Sequence, residues 1–245
     1  MATRPFLFYG TGSLPKKDEQ EKNMLSILKS YGIMLIAAMG KTIELCLISL
    51  CFAMVIGLIF ALCNVAKTRW LNVIGTVYVD AVRGVPLIVL AYFIYFGVPA
   101  GVQAAGFANF RLSALQAGVI ALSMNCGAYM AEIIRAGIES VDKGQMEAAR
   151  SLGLTYGMGM RHIVLPQAIK TMIPSIINQF IITLKDTSIL SIIGFPELTN
   201  VGKTIMGNTF KSLETWAIVG VMYLIVIVSL SKASKRLERR LNVGR

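Results

Sequence analysis

The sequence predicts an all-α membrane protein with about five spanning helices. Three observations carry that reading. Of 245 residues, 55% are hydrophobic and only 15% are charged, a bias that soluble domains of this size rarely show. The apolar residues are gathered into long runs, such as 43–62, 112–131 and 217–230, close to the roughly 20 residues a span needs. No water reaches the bilayer core, so backbone groups there must bond within their own segment, and helices are the expected form.

The elements follow in order. A polar segment, 1–30, is expected to lack regular structure and to lie outside, with the first helix beginning near Ser30. No cleavable signal peptide is predicted, because the first apolar run starts late and runs long. The first span is placed at 33–62, longer than a bilayer requires, which implies tilt or an interfacial start. The second region, 71–96, is interrupted by Asp80 and Arg83 and then by Gly84 and Pro86. A break there is tolerated where neighbouring helices bury it. A Gly- and Ala-rich outer loop is expected at 97–111 and a third span at 112–134. The stretch 135–161 is too polar to span. A fourth span is placed at 168–193, an outer loop at 194–211 and a last span at 213–230. The domains expected are therefore an outer segment, 1–30, a membrane domain, 31–231, with an inner loop at 135–167, and a basic tail, 232–245.

The net charge is +11. In a soluble chain that would point to nucleic acid. Here the basic residues fall between apolar runs, so they read as orientation signals and nucleic acid is not an expected partner. The central loop and the tail hold ten of the 24, whereas the outer connecting loops hold only Arg111, Lys203 and Lys211; Lys16, Lys17, Lys22 and Lys29 near the N-terminus are offset in part by Asp18, Glu19 and Glu21. The positive-inside rule puts loop and tail inside, and five spans then put the N-terminus outside. Cys46, Cys51, Cys63 and Cys126 lie in or at the ends of apolar runs and form no Cys-x-x-Cys pair. They read as buried thiols rather than a disulfide or metal set.

The inner loop carries the most specific pattern. It reads Glu147-Ala148-Ala149, three residues, Gly153, nine residues, then Ile163-Val164-Leu165-Pro166. Residues 147–152 are good helix formers, and their two alanines permit close approach of another surface. Glu147 near a helix start is favoured by the helix dipole. Gly153 can take the positive φ that stops a helix. Pro166 suits the first turn of the next one. The pattern resembles the EAA loop of bacterial ABC importer permeases, every fixed position included. Residues 128–138, Gly144-Gln145, residues 83–87 and residues 184–188 resemble the polar amino acid subfamily of those permeases. Val85 and Leu90 depart from it, since that subfamily often has Thr and Gln near those positions. The likeness runs from about residue 30 to the C-terminus.

The resemblance implies a type I ABC importer (MetI-like) transmembrane domain in the bacterial inner membrane, carrying polar amino acids by alternating access. It also implies two ATP-binding subunits, a second permease copy (identical or homologous) and an extracytoplasmic binding protein. ATP and Mg²⁺ would be held by the partner ATPases, with no cofactor in this chain. Glu147, Ala148, Ala149, Gly153, Ile163, Leu165 and Pro166 would couple it to them.

Other residues keep two readings. Lys185 and Asp186 could meet the ammonium and carboxylate of an amino acid, or form a structural salt bridge or helix-end anchor. Asp80 and Arg83 could line the path, with structural pairing favoured. Asn125, Asn178 and Gln179 could line it or join helices by hydrogen bonds. Glu132 and Arg135 read as a structural i, i+3 pair. His162, the sole histidine, reads as interfacial or structural. Gly202-Lys203-Thr204 ends like a phosphate loop, but Glu197 occupies the place of its first glycine, so the chain is expected to carry no ATPase site. An ion-driven secondary transporter would show more spans and internal repeats. A membrane enzyme would show a catalytic constellation, and none of the usual ones is present.

Overall fold

The computed structural model describes residues 17–66 and 68–241, with side chains from 23 to 236. Within them the chain forms eight helical elements: α1 (Lys17–Val65), α2 (Arg69–Gly84), α3 (Leu87–Ala104), α4 (Ala114–Glu139), α5 (Lys143–Ser151), α6 (Tyr156–Ile193), α7 (Leu198–Thr209) and α8 (Ser212–Leu241). Five of these regions are long and apolar enough to cross a bilayer: 23–65, 87–104, 114–139, 156–193 and 212–236. Large apolar side chains on α1, among them Phe52, Val55, Leu58 and Leu62, are exposed. An apolar surface of that extent suits lipid rather than water.

α1 starts thirteen residues before the expected Ser30. The extension is held by tertiary contact. Ile27 is buried with Leu198, Ile205 and Ile218 from α7 and α8. Lys211 Nζ donates to Asn23 Oδ1 at 2.8 Å, and Asn23 Nδ2 donates to Glu214 Oε1 at 3.3 Å. Of the expected outer segment, residues 1–16 lie outside the described residues, as do Lys67 and the last four residues of the basic tail. The break after Arg83 falls where expected: Val85 and Pro86 are extended between α2 and α3. α3 then runs on to Ala104 and shortens the outer loop to 105–113. The loop expected at 194–211 contains the helix α7.

α1 and α4 cross closely. A Cβ on Gly57 would come within 2.5 Å of Met130 Cβ, and one on Gly127 within 2.7 Å of Ile56 Cγ2. Small residues let the two backbones meet where no hydrophobic drive separates lipid from protein. α3, α4 and the end of α6 enclose a second core around Leu90, Ile94, Leu122 and Leu190. The cysteines are all free: Cys46 and Cys126 are buried, Cys63 is half-buried, and Cys51 is exposed on α1, against the expectation of four buried thiols. Their helix register decides this, since position 51 falls on the outward face.

Glu197, fully buried, caps α7. Its carboxylate accepts from the N–H groups of Thr199 (2.8 Å) and Asn200 (2.7 Å), and Tyr223 Oη donates to it at 2.8 Å. The place where a phosphate loop would need glycine is thus filled by a helix cap. Burial pushes the Glu197 carboxyl above its ordinary range, opposed by those hydrogen bonds. A raised carboxyl in the fold stabilises at low pH, and that contribution fades as pH rises from its ordinary value of 4.5 through the raised value. Glu197→Gln keeps the acceptor and is expected to remove this fading, so its midpoint relative to wild type should rise between pH 4.5 and 8. Glu197→Ala leaves two N–H groups unmet and should cost about 1–3 kcal/mol at any pH. Thermal unfolding of the detergent-purified chain across that range measures both.

Candidate functional site

The loop between α4 and the regular part of α6 folds into a helix–turn–helix. α5 is capped by Asp142, whose side chain accepts from Gly144 N–H at 2.6 Å. The acid at the helix start is therefore Asp142; Glu147 stands a full turn further along, beyond the main reach of the dipole. The helix ends as expected at Gly153, with φ +83°. Leu154 N–H reaches back to Ala149 O (3.1 Å) and Gly153 N–H to Arg150 O (3.0 Å), the paired bonds of a Schellman closure.

The two alanines divide. Ala149 is buried, and a Cβ on Gly159 would lie 3.3 Å from its own Cβ, so α5 rests tightly on the start of α6. Ala148 and Glu147 face outward with Leu152, which is 82% exposed. Leu152 is a functional candidate that the spacing pattern does not single out. Pro166 stands in the first turn of the regular stretch Leu165–Asp186, but the helix begins earlier, at Tyr156, on the Thr155 cap. A π-helical turn, Met160–Val164, lies between, where Leu165 N–H bonds to Met160 O. Widening that turn makes room for a proline ring that would otherwise press on the carbonyl four residues back. Ile163 and Leu165 are half-buried in this brace. Gln167 Nε2 donates to Gln145 Oε1 at 3.3 Å and ties α6 to α5. His162 Nδ1 meets only the local Met158 O, at 3.0 Å.

A second feature lies between α2, α4 and α6. An open cavity of about 470 Å³ is lined by Arg83, the break residues 84–87, Asn125, Tyr129, Gln179, Ile182 and Asp186. It adjoins another, about 440 Å³, that shares Arg83, Tyr129 and Gln179 and adds Glu132 and Asn178. Five of the seven polar residues singled out from the sequence thus line the first cavity or its neighbour, around the Arg83 guanidinium and the carboxylates of Asp186 and Glu132. Lys185 does not join them: it follows Leu184 on the exposed face, one helix position from Asp186. Neighbours on a helix point about 100° apart, so the two do not face one ligand. Gln179 is buried, and its Nε2 has no hydrogen-bond partner among the described residues.

The favoured Asp80–Arg83 pairing is replaced. Arg83 Nη1 lies 3.9 Å from Glu132 Oε2, and its guanidinium sits 5.1 Å from the centre of the Tyr129 ring. Asp80, one helix turn before Arg83, lines a polar cleft with Asn64 and Asn72 that Arg83 and Glu132 also border. Glu132 and Arg135 form the expected pair, with Nε to Oε2 at 3.2 Å, and Glu139 extends it at 2.5 Å. Tyr129 and Ile182 were not legible as lining residues, because aromatic and aliphatic residues in an apolar run carry no polar signal.

Five spans, a short helix projecting from the loop before α6, and charged cavities between helices define a membrane permease. Residues 53–243 match the family described as the binding-protein-dependent transport system inner membrane component, and the chain belongs to that family. It is 38% identical to the glutamine transport system permease protein GlnP of Escherichia coli (strain K12) over 213 residues, 86% of this chain and 94% of the relative. It is 34% identical to the arginine transport system permease protein ArtQ of Bacillus subtilis (strain 168), over 84% of this chain and 92% of that one. Among solved structures, an amino acid ABC transporter crystallised with histidines is 37% identical and superposes with a TM-score of 0.82, over 89% of this chain and 98% of the other. The MetNI methionine ABC transporter, 17% identical, superposes at 0.71 over 87% and 98% and shares the fold. The fold is that of type I ABC importer permeases.

Proposed function

We propose that the chain is the permease subunit of an ATP-driven importer of polar α-amino acids, and that the substrate passes through the cavity between Arg83 and Asp186. The observation that carries this is that a guanidinium and a carboxylate, Arg83 and Asp186, line one cavity. A guanidinium can hold the α-carboxylate by a bidentate bond, and a carboxylate can hold the ammonium. Gln179, with a buried and unpartnered amide N–H, and Asn125 supply hydrogen bonds for a polar side chain. Leaving such a group unpaired is costly, so a ligand acceptor would relieve it. The cavity volume falls in the ~300–1,000 Å³ range of small-molecule sites. The names of the relatives, which specify glutamine and arginine, support the same substrate class.

The chain carries no chemistry of its own in this reading. Two ATP-binding subunits hold ATP and Mg²⁺ and dock on α5. A second permease copy completes the pathway, and an extracytoplasmic binding protein delivers the substrate. The basic loop and tail lie in the cytoplasm and the N-terminus outside. ATP-driven closure of the partner pair pushes α5, and the brace of Ala149 on Gly159 passes that motion to α6, which carries Gln179 and Asp186.

In proteoliposomes containing the whole importer, Arg83→Gln and Asp186→Asn are each expected to lower amino acid uptake by about 10-fold or more, one charged hydrogen bond being worth about 1.5–3 kcal/mol. Lys185→Gln is expected to leave uptake near wild type. Uptake that is driven by Na⁺ or H⁺ without ATP, or unchanged in both cavity variants, contradicts the proposal.

A further inference from the structure

The apolar run of α8 ends at Leu230, yet the helix continues unbroken to Leu241. At about 1.5 Å per residue the extension reaches some 16 Å past the run, through a headgroup layer of about 5–8 Å and as far again beyond it. Positions 232, 235, 236, 239 and 240 are all Lys or Arg, and Glu238 is the one acid between them. Their spacing of i, i+3, i+4, i+7 and i+8 places all five on one helix face. Ser234 is buried at 9% exposure. Counting about 100° per residue, the five basic positions lie between roughly 100° and 240° around the axis from Ser234. Lys232, Lys235 and Arg236 therefore lie away from the side that packs on the bundle, and all three are exposed.

We propose that this face binds the headgroups of anionic phospholipids in the inner leaflet and fixes the depth of α8. It rests on the cytoplasmic placement of the tail proposed above. Charge and position both favour lipid. The stripe begins two residues after the apolar run, so Lys232 lies in the headgroup layer and Lys235 and Arg236 at its edge. Long basic side chains there can lie back along the helix toward the phosphates, whereas the outward residues of α5 stand on a loop free to meet a soluble partner. Lysine and arginine near an anionic leaflet are each attracted to it, and phosphates match their donors.

The test uses the full chain assembled with its co-expressed ATP-binding subunits in nanodiscs. Spin-labelled phosphatidylglycerol and phosphatidylcholine report, by the motionally restricted fraction of each, the preference of the protein surface for the anionic lipid. Wild type is expected to prefer phosphatidylglycerol. The variant with glutamine at all five positions should lose that preference by about five-fold or more, the effect of a single charge at an anionic surface. A Lys→Arg and Arg→Lys swap at the same five positions should retain it, and 0.5 M salt should weaken it through screening. Equal preference in wild type and the glutamine variant overturns the proposal. So does an unchanged lipid preference accompanied by loss of the ATP-binding subunits on purification, which would assign the face to a protein. Orientation is read separately, from labelling of Arg245→Cys by an impermeant thiol reagent in intact and inverted vesicles. Labelling in intact cells would refute the cytoplasmic tail itself, independently of the lipid ratio.

Discussion

Leu152→Asp is expected to reduce ATP-driven uptake, and the ATP hydrolysis that substrate stimulates, by at least about 100-fold, while the protein still inserts and folds. Leu152 is 82% exposed at the tip of α5, just before the Gly153 turn. Burying a leucine side chain in a partner groove contributes about 1.5–3 kcal/mol. An aspartate in the same groove gains nothing and must give up its water, at a further cost of several kcal/mol unless paired. The side chain touches little of its own chain, so the fold has no stake in it. Reconstituted uptake and stimulated ATPase activity, compared with the thermal midpoint of the isolated chain, separate the two outcomes. Near-normal coupling in Leu152→Asp would remove α5 from the docking surface. Gly153→Pro is expected to act on the same step by another route, because it forbids the positive φ and the Gly153 N–H bond to Arg150 O on which the turn closes.

The second large effect falls on the fold. Gly57→Val and Gly127→Val are each expected to lower stability by about 1–3 kcal/mol or more, and the two together to prevent assembly of the α1–α4 pair. The new Cβ at Gly57 meets another Cβ at 2.5 Å and that at Gly127 meets Ile56 at 2.7 Å. The atom met at Gly57 is fixed to a helix backbone, so relief requires the helices to separate. Gly40→Ala is the control. A Cβ there meets nothing within 4 Å, and alanine is the better helix former by up to about 1 kcal/mol. Its midpoint should equal or exceed wild type. If the valine variants unfold at the wild-type temperature, the close crossing is not a determinant of the fold.

Much of the architecture was legible in the sequence because a bilayer imposes its own length and composition. The five spans and the break after Arg83 follow from apolar runs and from Gly84 and Pro86. The stop at Gly153 follows from one residue type and its allowed φ. The helices outside those rules were harder to see. Residues 17–29 and α7 are polar by composition, and they are helical because Ile27, Leu198 and Ile205 bury one another. The start of α6 at Tyr156 was masked by Pro166, whose lost hydrogen bond is absorbed by a π turn no spacing rule anticipates.

The candidate site divides along the same line. By itself the sequence determined that this chain spans a membrane, that its inner loop forms a short helix closed by glycine, and which polar residues stand in unusual places, because each of these depends on one segment and its solvent. Only the tertiary structure decided how those residues combine. Arg83 turns to Glu132 and Tyr129 rather than Asp80, and Asp186 lines the same cavity as Arg83 while Lys185 is exposed outside it. The α5 surface resolves into a buried Ala149 and a projecting Leu152. Pairing across helices depends on rotation about each helix axis and on which neighbour lies within a few ångströms, and these are fixed by packing between distant segments, not by the local order of residues.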